Sequence, residues 1–307
     1  MKFGIVGAGG IGGYLAAKLI NAGHDVAVLA RGRQLEAIRA DGLRLVDPDG
    51  DLTVTLKAIS DDPAVLGAPD LIIFAVKAHQ LPDAIAQIAA QVGPGTRLLP
   101  IQNGVDAPDM LAKAFGPDRA LIGSARIFTN ITGPGVITRY GDPKSFTIGT
   151  MAGDQTGNGV PEILAAFRDA GIDAPTHADA RIELWTKLMI FNAMSSVTTA
   201  TRLRFGEFRC HGETNALVRR LMQETFDVAR ASGVPLPDGL TDQTYHFYLN
   251  VLPDEGRTSM AQDLEEGRAL EIDHVCGAVA RRGRALGVDV TASETIHAIL
   301  TPWKAGR

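Results

Sequence analysis

Short apolar runs alternate with amphipathic stretches along the first hundred residues of the chain. The runs predict buried strands at 2–6, 25–30, 70–76 and 96–101, and the stretches predict helices at about 11–22, 79–91 and 105–115. Such alternation is typical of a parallel sheet covered by helices on both faces. From residue 119 to 149, short strands separated by Gly and Pro predict an antiparallel or mixed extension of the same sheet.

The pattern becomes helical from about residue 179. Long segments with helical spacing of apolar residues predict helices within 179–200, 213–232, 259–287 and 292–303, with Gly267 as a break. The sequence therefore predicts an α/β fold class with two domains: a Rossmann-type dinucleotide-binding domain at 1–178 and an all-α domain at 179–307. The apolar stripe of the helix at 213–232 is a candidate homodimer face.

Composition excludes several classes of function. The chain has 307 residues, of which 45% are hydrophobic, and a net charge of −5, so no general attraction to nucleic acid or an anionic membrane is expected. No run approaches the roughly 18 apolar residues of a membrane helix, and the N-terminus leads directly into a strand, so no signal peptide is expected. The only cysteines, Cys210 and Cys276, suit a reducing cytoplasm, and the sequence predicts no metal site.

The stretch "FGIVGAGGIGGY" places a glycine-rich loop between the first strand and the first helix. Gly7, Gly9 and Gly12 fit the G-x-G-x-x-G pattern, in which the first glycine allows a tight turn, the second a close approach of pyrophosphate and the third close helix–strand packing. A phosphate would lie at the helix N-terminus among unpaired N–H groups. The predicted cofactor-binding set is Gly7, Gly9, Gly10, Ile11 and Gly12; a glycine-rich turn without a ligand is the alternative.

The end of the second strand indicates which dinucleotide binds. A site for NAD usually has Asp or Glu there, to accept a hydrogen bond from the ribose 2′-hydroxyl. Here the strand ends in "VLARGR", and Arg31 offers a planar fork for a 2′-phosphate. NADPH is therefore expected over NADH, unless Arg31 is an ordinary solvated side chain.

Two further candidates follow predicted strands, whose carboxyl ends face the ligand crevice in such folds. Lys77, directly after the strand at 70–76, could supply charge to the cofactor or could be an ordinary exposed lysine. Asn103 and Gly104 follow the next strand: Gly104 could allow the nicotinamide to pass closely and Asn103 could hold its amide or the substrate, or the pair could form a plain Asn-Gly turn.

The helical half contributes four candidates. Lys187 lies among apolar residues in "ELWTKLMIFNAM", where desolvation would suit it to proton transfer, although a lysine at the edge of an amphipathic helix is also common. Ser195 falls on the same helical face as Lys187 and is a predicted substrate-binding residue. Ser259 and Glu271 stand twelve residues apart, and Glu271 is significant only if it is buried with a partner.

Together these motifs make the chain resemble the ketopantoate reductase (2-dehydropantoate 2-reductase) family along nearly its whole length. The matching segments, in order, are "GIVGAGGIGGYLAAKL", "VKAHQ", "QNGV", "PGVITRYG", "ELWTKL" and "TSMAQDLEEGRALEID". The glycine motif occurs in many Rossmann enzymes, whereas the combination of the last two segments is more specific.

The resemblance implies NADPH-dependent reduction of a 2-oxo acid, most simply ketopantoate to pantoate. It implies that Lys187 is the general acid for the ketone oxygen and that Asn103 positions substrate and cofactor. Ser259 would bind the substrate carboxylate and Glu271 its hydroxyl, while Arg31 and Lys77 would contact the phosphates or ribose of the cofactor.

The sequence departs from the family pattern on the helix that carries Lys187. Members of the family have two substrate-contacting asparagines, four and eight positions after the lysine, where this chain has Phe191 and Ser195. Asn192, Thr198 and Thr258 are candidates to replace them. A paralogue that reduces another 2-oxo acid therefore stays open, as do a related two-domain hydroxyacid dehydrogenase and a non-catalytic NADP(H) sensor.

Overall fold

The computed structural model describes residues 1–307, which form two compact units. The first comprises residues 1–102 and 107–180, and the second comprises 103–106 and 181–307. None of the helices combines the length and hydropathy that crossing a membrane would require.

The first unit has nine strands and five complete helices. In chain order they are β1 (Lys2–Val6), α1 (Gly10–Asn21), β2 (Asp25–Leu29), α2 (Gly32–Asp41), β3 (Leu43–Val46), β4 (Leu52–Val54), β5 (Ala58–Ser60), β6 (Leu71–Phe74), α3 (Leu81–Gln87), β7 (Arg97–Pro100), α4 (Ala107–Phe115), β8 (Leu121–Gly133), β9 (Val136–Thr150) and α5 (Val160–Asp169).

The predicted parallel sheet is confirmed, in the order β5-β2-β1-β6-β7. All its neighbouring strands run parallel, with Val6 opposite Leu29 on one side and Phe74 on the other. The carboxyl ends of β1, β2, β6 and β7 therefore meet at one edge, and the candidate residues of the first unit follow the ends of β1, β2 and β6. The helix expected at 79–91 is broken into α3 and two short 3₁₀ turns at 78–80 and 89–91.

The prediction that the later strands extend this sheet was wrong. β8 and β9 instead form a second, four-stranded sheet with β3 and β4, in the order β4-β3-β9-β8, joined to the first only by a bridge between Leu98 and Ala120. The cause lies in α1, which is buried almost all round and needs apolar cover on two sides. Tyr14 of α1 stacks on Phe146 of β9, and a Cβ on Gly13 would lie 2.6 Å from Ile137.

The second unit is helical, as predicted. Gly267, with φ of +68°, ends the helical run that begins at Ser259, and the chain resumes a helix only after a 3₁₀ turn at 272–274. The helices are α6 (Ala180–Thr201), α7 (Phe205–Arg209), α8 (Gly212–Ala231), α9 (Leu240–Asn250), α10 (Ser259–Glu265), α11 (Cys276–Leu286) and α12 (Thr291–Leu300).

The apolar stripe of α8, a candidate dimer face, is buried within its own unit. Val218, Leu221 and Val228 are fully buried, because α8 packs against α9, α11 and α12 of its own unit. Glu224 on the same side is buried too, and its carboxylate accepts hydrogen bonds from the Ala292 and Ser293 amides at the start of α12. The stripe is therefore intramolecular core.

Candidate functional site

The glycine loop turns sharply out of β1. Gly7 has φ of +105°, a left-handed conformation that favours glycine, and its amide donates to the Leu29 carbonyl oxygen at 2.9 Å. A Cβ on Gly7 would also lie only 3.1 Å from the Ala75 carbonyl oxygen, at the end of the neighbouring strand. The turn therefore depends on glycine for both its conformation and its packing.

The other glycines of the loop serve different purposes. A Cβ on Gly12 would lie 2.0 Å from the Gly7 carbonyl oxygen, and one on Gly10 would lie 2.7 Å from Thr129 Oγ1 in the second sheet. These two glycines allow close packing within the protein. A Cβ on Gly9 would meet no protein atom within 4 Å, so the space beside Gly9 is open.

The open space lies at the N-terminus of α1. Gly9 is the N-cap, and no side chain caps the first amides of the helix, which belong to Gly10, Ile11 and Gly12. Uncapped amides and the positive end of the helix dipole favour an anion at this position. The geometry fits the diphosphate of a dinucleotide, with Gly9 leaving room for it.

The end of β2 carries positive charge and no acidic side chain. Arg31 is exposed and forms the N-cap of α2, and Arg33 is exposed in the first turn of that helix, which contains no acidic residue. An exposed guanidinium beside a helix N-terminus suits a phosphate. The residues present therefore fit the 2′-phosphate of NADP(H).

Lys77 follows β6, next to the glycine loop. It is exposed and caps the 3₁₀ turn at 78–80, where its amide donates to Gln80 Oε1 at 3.2 Å. Gln102, at the end of β7, fixes the backbone that leads to Lys77. Its buried Nε2 donates to the carbonyl oxygens of Phe74 at 2.7 Å and Val76 at 3.0 Å. Sequence reasoning missed Gln102, whose only signal was an amide side chain ending an apolar strand.

Asn103 and Glu271, which are 168 positions apart in sequence, are in direct contact. Asn103 Nδ2 donates to Glu271 Oε2 at 3.1 Å, and both belong to the second unit. Glu271 is only 3% exposed, and Asn103 is half-buried. A buried carboxylate needs a hydrogen-bond partner, and the Asn103 amide is one for Glu271.

The backbone around this pair is tightly packed. Gly104 has φ of +96°, and a Cβ there would lie 2.2 Å from the His274 carbonyl oxygen. The segment after Asn103 therefore lies directly against the turn after Glu271. This close approach explains why a glycine follows Asn103.

α6 carries three of the remaining positions. Lys187 is half-buried between the buried Leu184 and Leu188. Phe191, one turn further, is half-buried, and Ser195 is fully buried with a hydroxyl that finds no hydrogen-bond partner. A ligand could contact the Ser195 hydroxyl only if its neighbours moved.

The candidates to replace the missing asparagines are already paired. Asn192 is fully buried; its Nδ2 donates to Thr225 Oγ1 at 3.1 Å, and its Oδ1 accepts from Ser196 Oγ at 3.2 Å. Thr198 and Thr258 hydrogen-bond to each other through their hydroxyls at 2.9 Å.

Ser259, by contrast, is exposed at the first position of α10, so its hydroxyl is accessible while that of Ser195 is not. The two serines of the predicted substrate-binding set therefore differ in their access to a ligand.

Comparisons with known proteins relate nearly the whole chain to one family. The family model of ketopantoate reductase PanE/ApbA matches residues 3–153, and that of the PanE/ApbA C-terminal domain matches 179–304. A 2-dehydropantoate 2-reductase of Mesorhizobium japonicum is 35% identical over 98% of this chain and 96% of its own length.

Solved structures share the fold. A PanE/ApbA family ketopantoate reductase from Ralstonia eutropha JMP134 is 32% identical, with a TM-score of 0.88 over 99% of this chain and 98% of that one. A D-mandelate dehydrogenase crystallised with NADH and anilino(oxo)acetate is 21% identical, with a TM-score of 0.88 over 99% and 98% of the two chains. At that identity the second likeness concerns the fold alone.

Proposed function

Because the chain belongs to the ketopantoate reductase family, we propose that it catalyses NADPH-dependent reduction of a 2-oxo acid, ketopantoate, to its 2-hydroxy acid, pantoate. The observation that carries the proposal is the contact between Asn103 and Glu271, which pairs a side chain at the end of β7 with a buried carboxylate of the helical unit. Residues 1–178 would act as the NADP-binding domain and 179–307 as the substrate and catalytic domain.

The first unit would hold the cofactor. The amides of Gly10, Ile11 and Gly12 would bind its diphosphate beside Gly9, and Arg31 its 2′-phosphate. Lys77 would add a third positive contact at the same sheet edge. The nicotinamide, when bound, supplies the hydride that reduces the keto carbon.

The helical unit would supply acid and orientation. Lys187 would donate a proton to the ketone oxygen, and its positive charge would stabilise the alkoxide that develops there. The hydrogen bond from Asn103 to Glu271 restricts the rotation of both side chains, so that Asn103 would position substrate and nicotinamide while Glu271 accepts from the substrate hydroxyl. The exposed Ser259 would bind the carboxylate.

A second candidate is a reductase for a different 2-oxo acid, because Phe191 and Ser195 replace amides that contact substrate in the family. A phenyl ring makes no hydrogen bond to a substrate hydroxyl, so it cannot reject an analogue that lacks the hydroxyl.

The reaction would take place in the cytoplasm, which suits two cysteines that form no disulfide. A homodimer would need a surface other than the buried stripe of α8, and sedimentation would test for one.

The test is a turnover assay that follows NADPH absorbance with ketopantoate, with 3,3-dimethyl-2-oxobutanoate, which lacks only its hydroxyl, and with a panel of other 2-oxo acids. The highest kcat/KM with ketopantoate is expected. A higher value with another acid would assign the chain to the second candidate. Stoichiometric NADPH binding without turnover of any acid would instead indicate a sensor.

A further inference from the structure

Arg282 of α11 contacts both the backbone beside Asn103 and the helix that carries Lys187. Its Nη2 donates to the Val105 carbonyl oxygen at 3.3 Å, its Nε donates to Asp106 Oδ1 at 3.1 Å, and its guanidinium lies over the ring of Trp185 at 6.0 Å. We propose that Arg282 is a positioning residue, which fixes the 103–106 segment and thereby holds Asn103 against Glu271.

The segment that Arg282 holds is short and firmly placed. It contains the tightly packed Gly104 and ends at Asp106, whose carboxylate also accepts from Arg281 Nη2 at 2.7 Å and lies 3.8 Å from His274 Nδ1. Burial alone would raise the pKa of Asp106, but the nearby His274 side chain and the charges of Arg282 and Arg281 lower it. Asp106 therefore stays ionised and keeps both arginines paired near neutral pH.

Asn103 lies only two residues before Val105, so movement of that carbonyl changes the backbone from which the Asn103 amide projects. The hydrogen bond from Asn103 to Glu271 is one contact of 3.1 Å, and by itself it would not return the displaced Asn103 amide to its position. On the other side of Arg282, Trp185 precedes Lys187 by two residues in α6. The arginine thus contacts the backbone two residues after Asn103 and the side chain two residues before Lys187.

Arg281 does not duplicate this arrangement. It reaches Asp106 and the Asp273 carbonyl oxygen, and its side chain is 52% exposed, against 26% for Arg282. Its contacts leave Val105 and Trp185 untouched. Loss of Arg281 should therefore have the smaller effect on Asn103.

The inference rests on the proposed function, and Arg282→Met tests it. This variant should lower kcat with ketopantoate by ~10-fold or more, since displacement of a catalytic group by about 1 Å can cost ~10²-fold. The Kd for NADPH should stay unchanged. Arg282→Lys keeps a positive charge beside Asp106 but lacks the branched guanidinium that also reaches the Val105 carbonyl oxygen. Its kcat should therefore lie between those of Arg282→Met and the wild type. Arg284→Met, which removes an exposed ion pair with Glu294 from the same helix, is the matched control and should behave as wild type.

A double-mutant cycle separates positioning from general destabilisation. In an Asn103→Ala background, Arg282→Met should reduce kcat by less than ~2-fold, because the group it positions is already gone. Full multiplicative losses, or a wild-type kcat in Arg282→Met alone, would overturn the proposal.

Hydrogen exchange gives a readout that needs no turnover. Amides of residues 103–106 should exchange faster in Arg282→Met than in Arg284→Met, at equal protein stability by thermal melting. If the wild-type protein reduces no 2-oxo acid, the proposed function fails while this measurement still decides the positioning role. Equal exchange in the two variants would refute it.

Discussion

Gly9→Ala separates the binding role of the glycine loop from its structural role. Gly9 has φ of −76° and ψ of −169°, which any residue can adopt, and the added methyl would meet no protein atom within 4 Å. The protein therefore has room for the side chain. If a diphosphate occupies the open space beside Gly9, the methyl instead competes with the ligand.

The expected magnitudes follow from these contacts. Alanine is a poorer N-cap than glycine, which destabilises the variant by about 0.5–1 kcal/mol. Alanine also lowers the conformational entropy of the unfolded chain, which stabilises the folded protein by about 0.4–1 kcal/mol. The free energy of unfolding should thus change little, and Tm by less than about 3 °C. Loss of one charge-assisted hydrogen bond between an amide and phosphate costs about 1.5–3 kcal/mol, so the Kd for NADPH should rise by ~10- to 100-fold.

Gly12→Ala is the matched comparison, because its methyl would lie 2.0 Å from the Gly7 carbonyl oxygen. The helix must move to relieve that clash, at a cost of about 1–3 kcal/mol or more, which the better helix propensity of alanine offsets by only about 1 kcal/mol. Thermal melting and NADPH titration of both variants should show a lowered Tm for Gly12→Ala and a weakened Kd without a lowered Tm for Gly9→Ala. Wild-type NADPH affinity in Gly9→Ala would refute the assignment of the loop.

Three further predictions test the charged groups. Arg31→Ser should raise KM for NADPH at least ~10-fold and leave KM for NADH nearly unchanged, as measured in parallel assays, because only NADPH carries the 2′-phosphate. Lys187→Met should lower kcat by ~10²- to 10⁴-fold while the Kd for NADPH stays near wild type, and an unchanged kcat would remove its acid role. Arg139→Met should reduce the unfolding free energy by about 3–5 kcal/mol at pH 7 in urea titrations, since Arg139 and Asp47 are both buried and bond at 2.6 Å. Burial alone would raise the pKa of Asp47, but the Arg139 hydrogen bond lowers it, so this stabilisation is present above pH ~4 and the difference between the variants should shrink at lower pH.

The sequence predicted the first sheet well because its strands are locally encoded. Each apolar run is bounded by glycine or polar residues and followed by a segment with helical spacing. The second sheet was misassigned, since Leu43–Val46 and Leu52–Val54 are too short to show a pattern and β9, the partner of Leu43–Val46, lies more than eighty residues further along the chain. The sequence of α1 did carry a signal for the second sheet. The helix has no polar face and contains Gly10 and Gly13, which indicates that other elements pack closely on two of its sides.

The candidate site likewise has a part that is encoded locally in the sequence and a part that depends on distant contacts. The glycine loop and Arg31 could be predicted because strand, turn and helix are contiguous in the chain. The contact of Asn103 with Glu271 spans 168 positions, and no local pattern encodes it. Gln102 and Arg282 donate hydrogen bonds to backbone carbonyl oxygens, whose positions depend on the completed fold.

The helix that carries Lys187 shows how a shift of one residue changes a site. Consecutive residues in an α-helix project about 100° apart, so an asparagine at 192 cannot take the place of one at 191. The structure gives Asn192 a different role, since its amide hydrogen-bonds to Thr225 and Ser196 in the core of the helical unit. The residue at 191 is a phenyl ring, which cannot hydrogen-bond to a substrate hydroxyl. In the proposed reductase we therefore expect Glu271 to discriminate in favour of a hydroxylated substrate, because an analogue without the hydroxyl would offer its buried carboxylate one hydrogen bond fewer.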